Sequence, residues 1–233
     1  TVFRQMSRLA GFDSTELQII AEHQIQANDP DGARRALQKS LQTNPLFLPS
    51  LATLVNLDQR TGNLEQALLG ARNIQRLHPD SALGYRLAGE ILSKSGRLEE
   101  AIISFASGLE RAPDSRLMVD LFLARLNAAE SDPSKQAYAV QELEQWLAVN
   151  PTDLHATRHY AGALIRLGEL EKGIRLYESI SQALPDDPAV LNSLALAYQK
   201  MGDPRALGYA QKALEYAPEA ASILDTVGWL LVE

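Results

Sequence analysis

Small and apolar side chains return along this chain in paired clusters, and each pair is followed by a polar turn that closes on a proline. The closing prolines are Pro45, Pro79, Pro113, Pro151, Pro185 and Pro218, at separations of 34, 34, 38, 34 and 33 residues. A period of this size marks stacked supersecondary units, each unable to bury its own apolar face without a neighbour. With each proline at position 32 of a 34-residue unit, repeats start at 14, 48, 82, 116, 154 and 188, and a seventh opens at 221. Position 8 then holds Ala21, Gly89, Ala161, Ala195 and Gly228, with Val55 and Leu123 as departures. Position 20 holds Ala33, Ala67, Ala101, Ala139, Gly173 and Ala206. Small residues at both places let paired helices approach while bulkier neighbours interdigitate. Position 24 supplies the wedge as Leu37, Phe105, Leu143 and Tyr177, with Ala71 and Ala210 smaller.

Gly62, Gly96, Gly168 and Gly202 share position 15, where a left-handed residue ends a helix, so each repeat is predicted to be two helices. The chain divides as one array over 1–233: repeats 14–47, 48–81, 82–115, 116–153, 154–187 and 188–220, then 221–233 as the first helix of another repeat. Residues 1–13, with Phe3 and Met6 at wedge positions, read as the second helix of a preceding repeat. The fourth repeat is four residues longer, about one helical turn, near Glu130 to Lys135, and added helix keeps the apolar stripe facing the same way. Asp29-Pro30, Asp132-Pro133 and Asp203-Pro204 each read as an N-cap followed by proline in the first turn. Asp80, Asp114, Asp153, Asp186 and Asp187 sit beside the ladder prolines, placed to cap the next helix.

Tyr85, Ala88, Gly89 and Leu92, then Ala101 and Phe105, then Pro113, resemble the tetratricopeptide repeat, and the likeness recurs six times. The resemblance implies an all-α fold, a right-handed α-solenoid or superhelix of antiparallel helix pairs whose concave wall is made by the first helices. It also implies a protein or peptide partner in that groove, contacted from positions 2, 5, 6, 9, 12 and 13. Those positions hold Arg60, Arg86, Lys94, Arg158, Arg166 and Lys200 against Glu22, Glu90 and Asp120, a net +3. Arg60, Lys94, Arg166 and Lys200 fall at position 13, where a cation complements the helix dipole whatever the protein binds. The candidate ligand-binding residues are His155, Arg158, His159 and Arg166 of the fifth repeat, Asn192 and Lys200 of the sixth, and Arg86 with Glu90 of the third. The Lys and Asn clamp of the family's peptide binders is not reproduced, because Gly162 and Ala189 stand at two of its positions.

The run Gly202-Asp203-Pro204-Arg205-Ala206-Leu207, with Leu224-Asp225-Thr226-Val227-Gly228-Trp229 further on, is similar to the C-terminal repeats of a bacterial family. That family is the tetratricopeptide-repeat lipoprotein associated with exosortase and PEP-CTERM sorting. This narrower resemblance implies a periplasmic, envelope-associated scaffold in protein export or exopolysaccharide assembly, with a cytoplasmic setting as the alternative.

Composition narrows the chemistry. With no cysteine, thiolate catalysis, disulfides and cysteine-based zinc sites are excluded. A net charge of −7 argues against a general nucleic-acid partner. No apolar run reaches spanning length. The serines, including Ser40, Ser104 and Ser107, fit no nucleophile elbow, and no glycine loop follows a strand, so the expectation is a chain that is not an enzyme and needs no cofactor. His155 and His159 at i, i+4 lack a third ligand nearby, so no metal is expected. The positive groove on an acidic chain makes an anionic polysaccharide the alternative ligand. Leu224, Val227 and Leu231 form an apolar face on the last helix, and the expectation there is end-to-end self-association or continuation into a larger protein.

Overall fold

The computed structural model describes residue 11 and residues 13–232, so the helix expected over residues 1–13, with Phe3 and Met6, lies outside the described residues. Among the described residues thirteen helices follow one another and no strand occurs. They are α1 (Ser14–Gln26), α2 (Pro30–Thr43), α3 (Leu48–Arg60), α4 (Leu64–Leu77), α5 (Ala82–Lys94), α6 (Leu98–Arg111) and α7 (Ser115–Ala129). The others are α8 (Pro133–Val149), α9 (Leu154–Arg166), α10 (Leu170–Ala183), α11 (Pro188–Lys200), α12 (Arg205–Tyr216) and α13 (Ala221–Val232). Contacts divide the chain into two units, Thr1–Glu130 and Ser131–Glu233, and the division falls inside the fourth repeat at its inserted turn. There α7 and α8 run to 15 and 17 residues, whereas most other helices have 13 or 14.

Caps set the helix starts. The carboxylates of Asp13, Asp29, Asp114, Asp132, Asp153 and Asp187 each accept a backbone N–H of the first turn, replacing a bond the helix cannot make for itself. At α5 the cap is Ser81, whose hydroxyl accepts from the Leu83 N–H at 3.3 Å, and not the neighbouring Asp80. Pro30 and Pro133 open α2 and α8, whereas α12 begins at Arg205, one residue after Pro204.

The turns inside repeats close in one way. Gly62, Gly96, Gly168 and Gly202 have φ of 80, 74, 87 and 69°, as position 15 predicts. The next residue's N–H reaches back to a helix carbonyl, as in Asn63 to Asp58 at 2.8 Å and Arg97 to Leu92 at 2.9 Å, the Schellman closure. Asn28 and Glu130 hold the same position with φ of 56 and 48° and no glycine to ease it.

Packing follows the small positions. Ala33, Ala67, Ala101, Ala139 and Ala206 are buried, as are the wedges Leu37, Phe105, Leu143 and Tyr177. In the first unit one apolar cluster runs from Leu51 and Val55 through Ile74, Leu87 and Phe105 to Leu117 and Leu121, continuous across α3 to α7. In the second unit Ala161, Ile174, Tyr177, Leu194 and Tyr198 form the corresponding core. A buried polar network crosses the first joint: Ser40, fully buried, donates to the Ser14 carbonyl at 2.9 Å and lies 2.7 Å from the Ser50 hydroxyl, which donates to Gln18 at 2.8 Å. Trp229 is 62% exposed on α13, with Leu224 and Leu231 also exposed.

Ala101 is fully buried on α6. Ala101→Leu therefore overpacks a helix contact and should cost roughly 1–3 kcal/mol, read from urea unfolding of the purified variant, and a neutral result would place this residue off the helix contact.

Candidate functional site

Within each unit the first helices of successive repeats pack side by side, α1 with α3, α3 with α5 and α5 with α7 in the first, and α9 with α11 in the second. Each unit so presents one wall of first helices, and the predicted residues divide between the two walls.

On the second unit's wall, His155, Arg158, His159 and Arg166 occupy one face of α9, a consequence of the i, i+3, i+4 spacing. The rings of His155 and His159 meet edge to face at 5.1 Å. Burial, then the electrostatic effect of His155, Arg158 and Arg166 near by, pulls His159 down from its ordinary 6.5 to about 4. His159 is therefore a neutral hydrogen-bonding group at pH 7, and Arg158 and Arg166 hold fixed positive charge on the same face of α9. Arg158 and Arg166 form no ion pair with the described residues, and neither does Lys200 at the end of α11. Asn192, on α11, keeps a buried side-chain oxygen with no hydrogen-bond partner among the described residues. A wall with free guanidinium donors, a free ammonium and a neutral imidazole suits a carboxylate or another oxyanion.

The first unit's wall behaves differently. Arg86 pairs with Glu90 one turn along α5, so it adds no free cation to the wall. Asp120 on α7 stands beside this pair with one carboxylate oxygen buried and unpartnered. Burial first, and then the charge of Glu90, raise it from 3.8 to about 6, with Arg86 and Arg116 opposing. Sequence position alone counted Arg86 as groove charge. Its i, i+4 relation to Glu90 is the signal that cancels it. Asp120 stood among the groove acids, but no sequence feature told that its carboxylate is half-buried.

Tyr177 and Phe105 are buried and serve packing, and the indole of Trp146 donates to Asp153 at 2.7 Å. Arg60, Lys94, Arg166 and Lys200 all lie in the last turn of their helices, where they complement the dipole.

Asp120 and His159 impose opposite pH slopes. The folded chain holds the Asp120 proton that an unfolded carboxyl releases above pH 3.8, so stability is lost as pH rises towards about 6. Asp120→Asn should raise the thermal midpoint at pH 7.5, and that gain should vanish near pH 3.5. Equal gains at both pH values would contradict the burial of its charge. The unfolded chain binds the His159 proton below 6.5 and the folded chain only near 4, so stability is lost as pH falls through that window, and His159→Gln should flatten the decline.

A tetratricopeptide-repeat family model matches residues 53–116, and a second matches residues 137–197. The chain is 31% identical over 122 residues to the mouse (Mus musculus) interferon-induced protein with tetratricopeptide repeats 3, an alignment that covers 52% of this chain and 30% of the relative. Its fold resembles a tetratricopeptide-repeat protein of Parabacteroides merdae ATCC 43184, with TM-score 0.70 and 19% identity over 94% of this chain and 86% of that one. It also resembles YrrB, described as a tetratricopeptide-repeat protein with an unusual peptide-binding site, with TM-score 0.54 and 19% identity over 82% of this chain and 96% of that one. With the paired helices, the left-handed glycine turns and the buried small positions, these matches make the chain a tetratricopeptide-repeat protein.

Proposed function

We propose that the chain is a non-catalytic interaction scaffold that holds a carboxylate-bearing segment of a protein or peptide partner against the wall formed by α9 and α11. The observation that carries this reading is the set of three cations without an ion pair among the described residues, Arg158 and Arg166 on α9 and Lys200 on α11. An ionised group without a partner is fully available to an incoming charge. Each unit binds through a surface and needs no reacting group, in keeping with the protein-interaction role of the repeat. YrrB, of like fold, is described as having a peptide-binding site, which supports a peptide as the ligand class.

We place the activity in the bacterial envelope, in protein sorting and export or in exopolysaccharide assembly. The support for that setting is the likeness of the Gly202 to Leu207 run, and of the Leu224 to Trp229 run, to the exosortase-associated lipoproteins. The same three cations favour a second reading, direct binding of an anionic polysaccharide.

Charge reversal separates these readings from an idle surface. Arg158→Glu with Lys200→Glu should weaken a glutamate-rich peptide at least about tenfold at low salt, and should reduce the salt dependence of binding. The measurement is calorimetric titration of the peptide and of alginate, an acidic polymer, at two salt concentrations. A variant that binds both ligands as the parent does removes the proposed site, and a loss seen with alginate alone transfers the site to polysaccharide.

A further inference from the structure

A cleft of about 300 Å³ opens in the first unit between α4 and the α5–α6 pair, on the side away from the first-helix wall. Its walls include Arg72 of α4, Tyr85, Ala88 and Leu92 of α5, and Glu100 and Ser104 of α6. In repeat numbering the joint is built from position 25 of one repeat and positions 7, 11, 19 and 23 of the next. The same positions recur at the other joints, so the chain itself shows what this space accepts.

At the joint of the fifth and sixth repeats the set is Glu178, Leu194, Tyr198, Arg205 and Tyr209. The Tyr198 hydroxyl donates to Glu178 across the joint, the Tyr209 ring stacks on it at 5.4 Å, and the Arg205 guanidinium lies 4.1 Å above its centre. At the joint of the fourth and fifth repeats, Tyr160 from position 7 bonds Glu144 at position 25, with Lys172 near by at position 19. Phe122, from position 7, is fully buried at the next joint back. At the first joint Asp58, from position 11, pairs with Arg34 at 2.6 Å. Between the second and third repeats alone among these five joints, positions 7 and 11 carry neither an aromatic ring nor a charge, only Ala88 and Leu92.

The charges there are also exchanged. Arg72 stands where Glu178 and Glu144 stand, and Glu100 stands where Arg205 and Lys172 stand. Glu100 is held by Arg97 at 2.6 and 2.7 Å, whereas Arg72 makes no hydrogen bond or ion pair with the described residues. Leu69, a turn before Arg72, and Ile103 on the cleft wall are 58% and 65% exposed.

We infer that this cleft receives a tyrosine side chain from an extended segment of a protein partner, which fills from outside the space that Tyr198 fills from inside. A phenol hydroxyl both donates and accepts, so it satisfies Glu100, which only accepts, and Arg72, which only donates. Phenylalanine leaves Arg72 unserved and offers Glu100 nothing beyond Arg97, and a carboxylate faces Glu100. The exposed Ile103 lines the opening, where the residues beside the tyrosine cover it and a free phenol does not. The site extends the scaffold reading to a second face and rests on it, but it uses none of the α9 and α11 residues.

The test uses the full chain labelled with 15N and three probes, the capped pentapeptides Gly-Ser-Tyr-Ser-Gly, Gly-Ser-Phe-Ser-Gly and Gly-Ser-Glu-Ser-Gly. The tyrosine peptide should shift the amide signals of Tyr85, Leu92 and Ser104 with a millimolar dissociation constant, and the phenylalanine peptide should bind about tenfold more weakly. Leu92→Tyr, which copies Tyr198, should keep the fold and abolish the shifts. Arg72→Glu, an exposed change, should weaken binding by a similar factor and serves if Leu92→Tyr does not fold. No shift at these amides with the tyrosine peptide, equal or better binding of the other two peptides, or undiminished binding to the folded variants overturns the inference. Arg158→Glu with Lys200→Glu should leave these shifts intact, so failure here and failure of the α9 and α11 site are read separately.

Discussion

Everything in each unit depends on how closely two helices can pass at a small residue. The sharpest case is Gly89 on α5, where a methyl group would stand 2.2 Å from the Phe105 ring of α6. At Gly173 the equivalent space is taken by Ile165, at 2.7 Å. These contacts set the spacing of the pair, the spacing sets which side chains reach the next pair, and that reach builds a continuous core such as the one from Leu51 to Leu121. A helix pair has only one apolar face for its partner helix and another for its neighbour, so stability is shared across joints.

The same geometry separates the molecule's functions by face. First helices lie against first helices, which lines up their outward positions into a wall, and differences of one charge then matter. On α9 the cations stand free and His159 is neutral. On α5 the i, i+4 partner Glu90 absorbs Arg86, and the half-buried Asp120 makes that wall a place where adding negative charge is disfavoured. The joints lie on another side, and there the repeated positions 7, 11, 19 and 25 decide whether the space is closed by a ring, closed by an ion pair, or left open.

The fold was legible in the sequence because its determinants are periodic and local. Position 20 could be read as buried from Ala33 through Ala206 without any coordinates, and the four turn glycines announced their positive φ. Glu130 holds the same repeat position with φ of 48° but ψ of −111°, a different turn at the insertion, and it carries no compositional mark. The candidate site was legible only by position. Listing outward residues placed His155, Arg158, His159 and Arg166 on one face correctly, but charge on a wall is a matter of pairing within about 4 Å, which a list of outward positions does not weigh. In the sequence Ser40 shows only that it fits no nucleophile elbow, yet it is fully buried and joins α1, α2 and α3, because its partners Ser14 and Ser50 lie on other helices. The cleft at Ala88 and Leu92 was not legible in the sequence, where these residues stand only as repeat-motif positions, and the ring contacts of Tyr198 reveal what such positions do.

The close approach of α5 and α6 is tested most directly by a double-mutant cycle on Gly89→Ala and Phe105→Leu, followed by urea unfolding of all four proteins. Gly89→Ala alone should destabilise by roughly 1–3 kcal/mol, because the Phe105 ring is buried and has nowhere to move. In the Phe105→Leu background most of that cost should disappear. Strict additivity of the two changes would contradict the account, since it would mean that the helices do not meet at this pair.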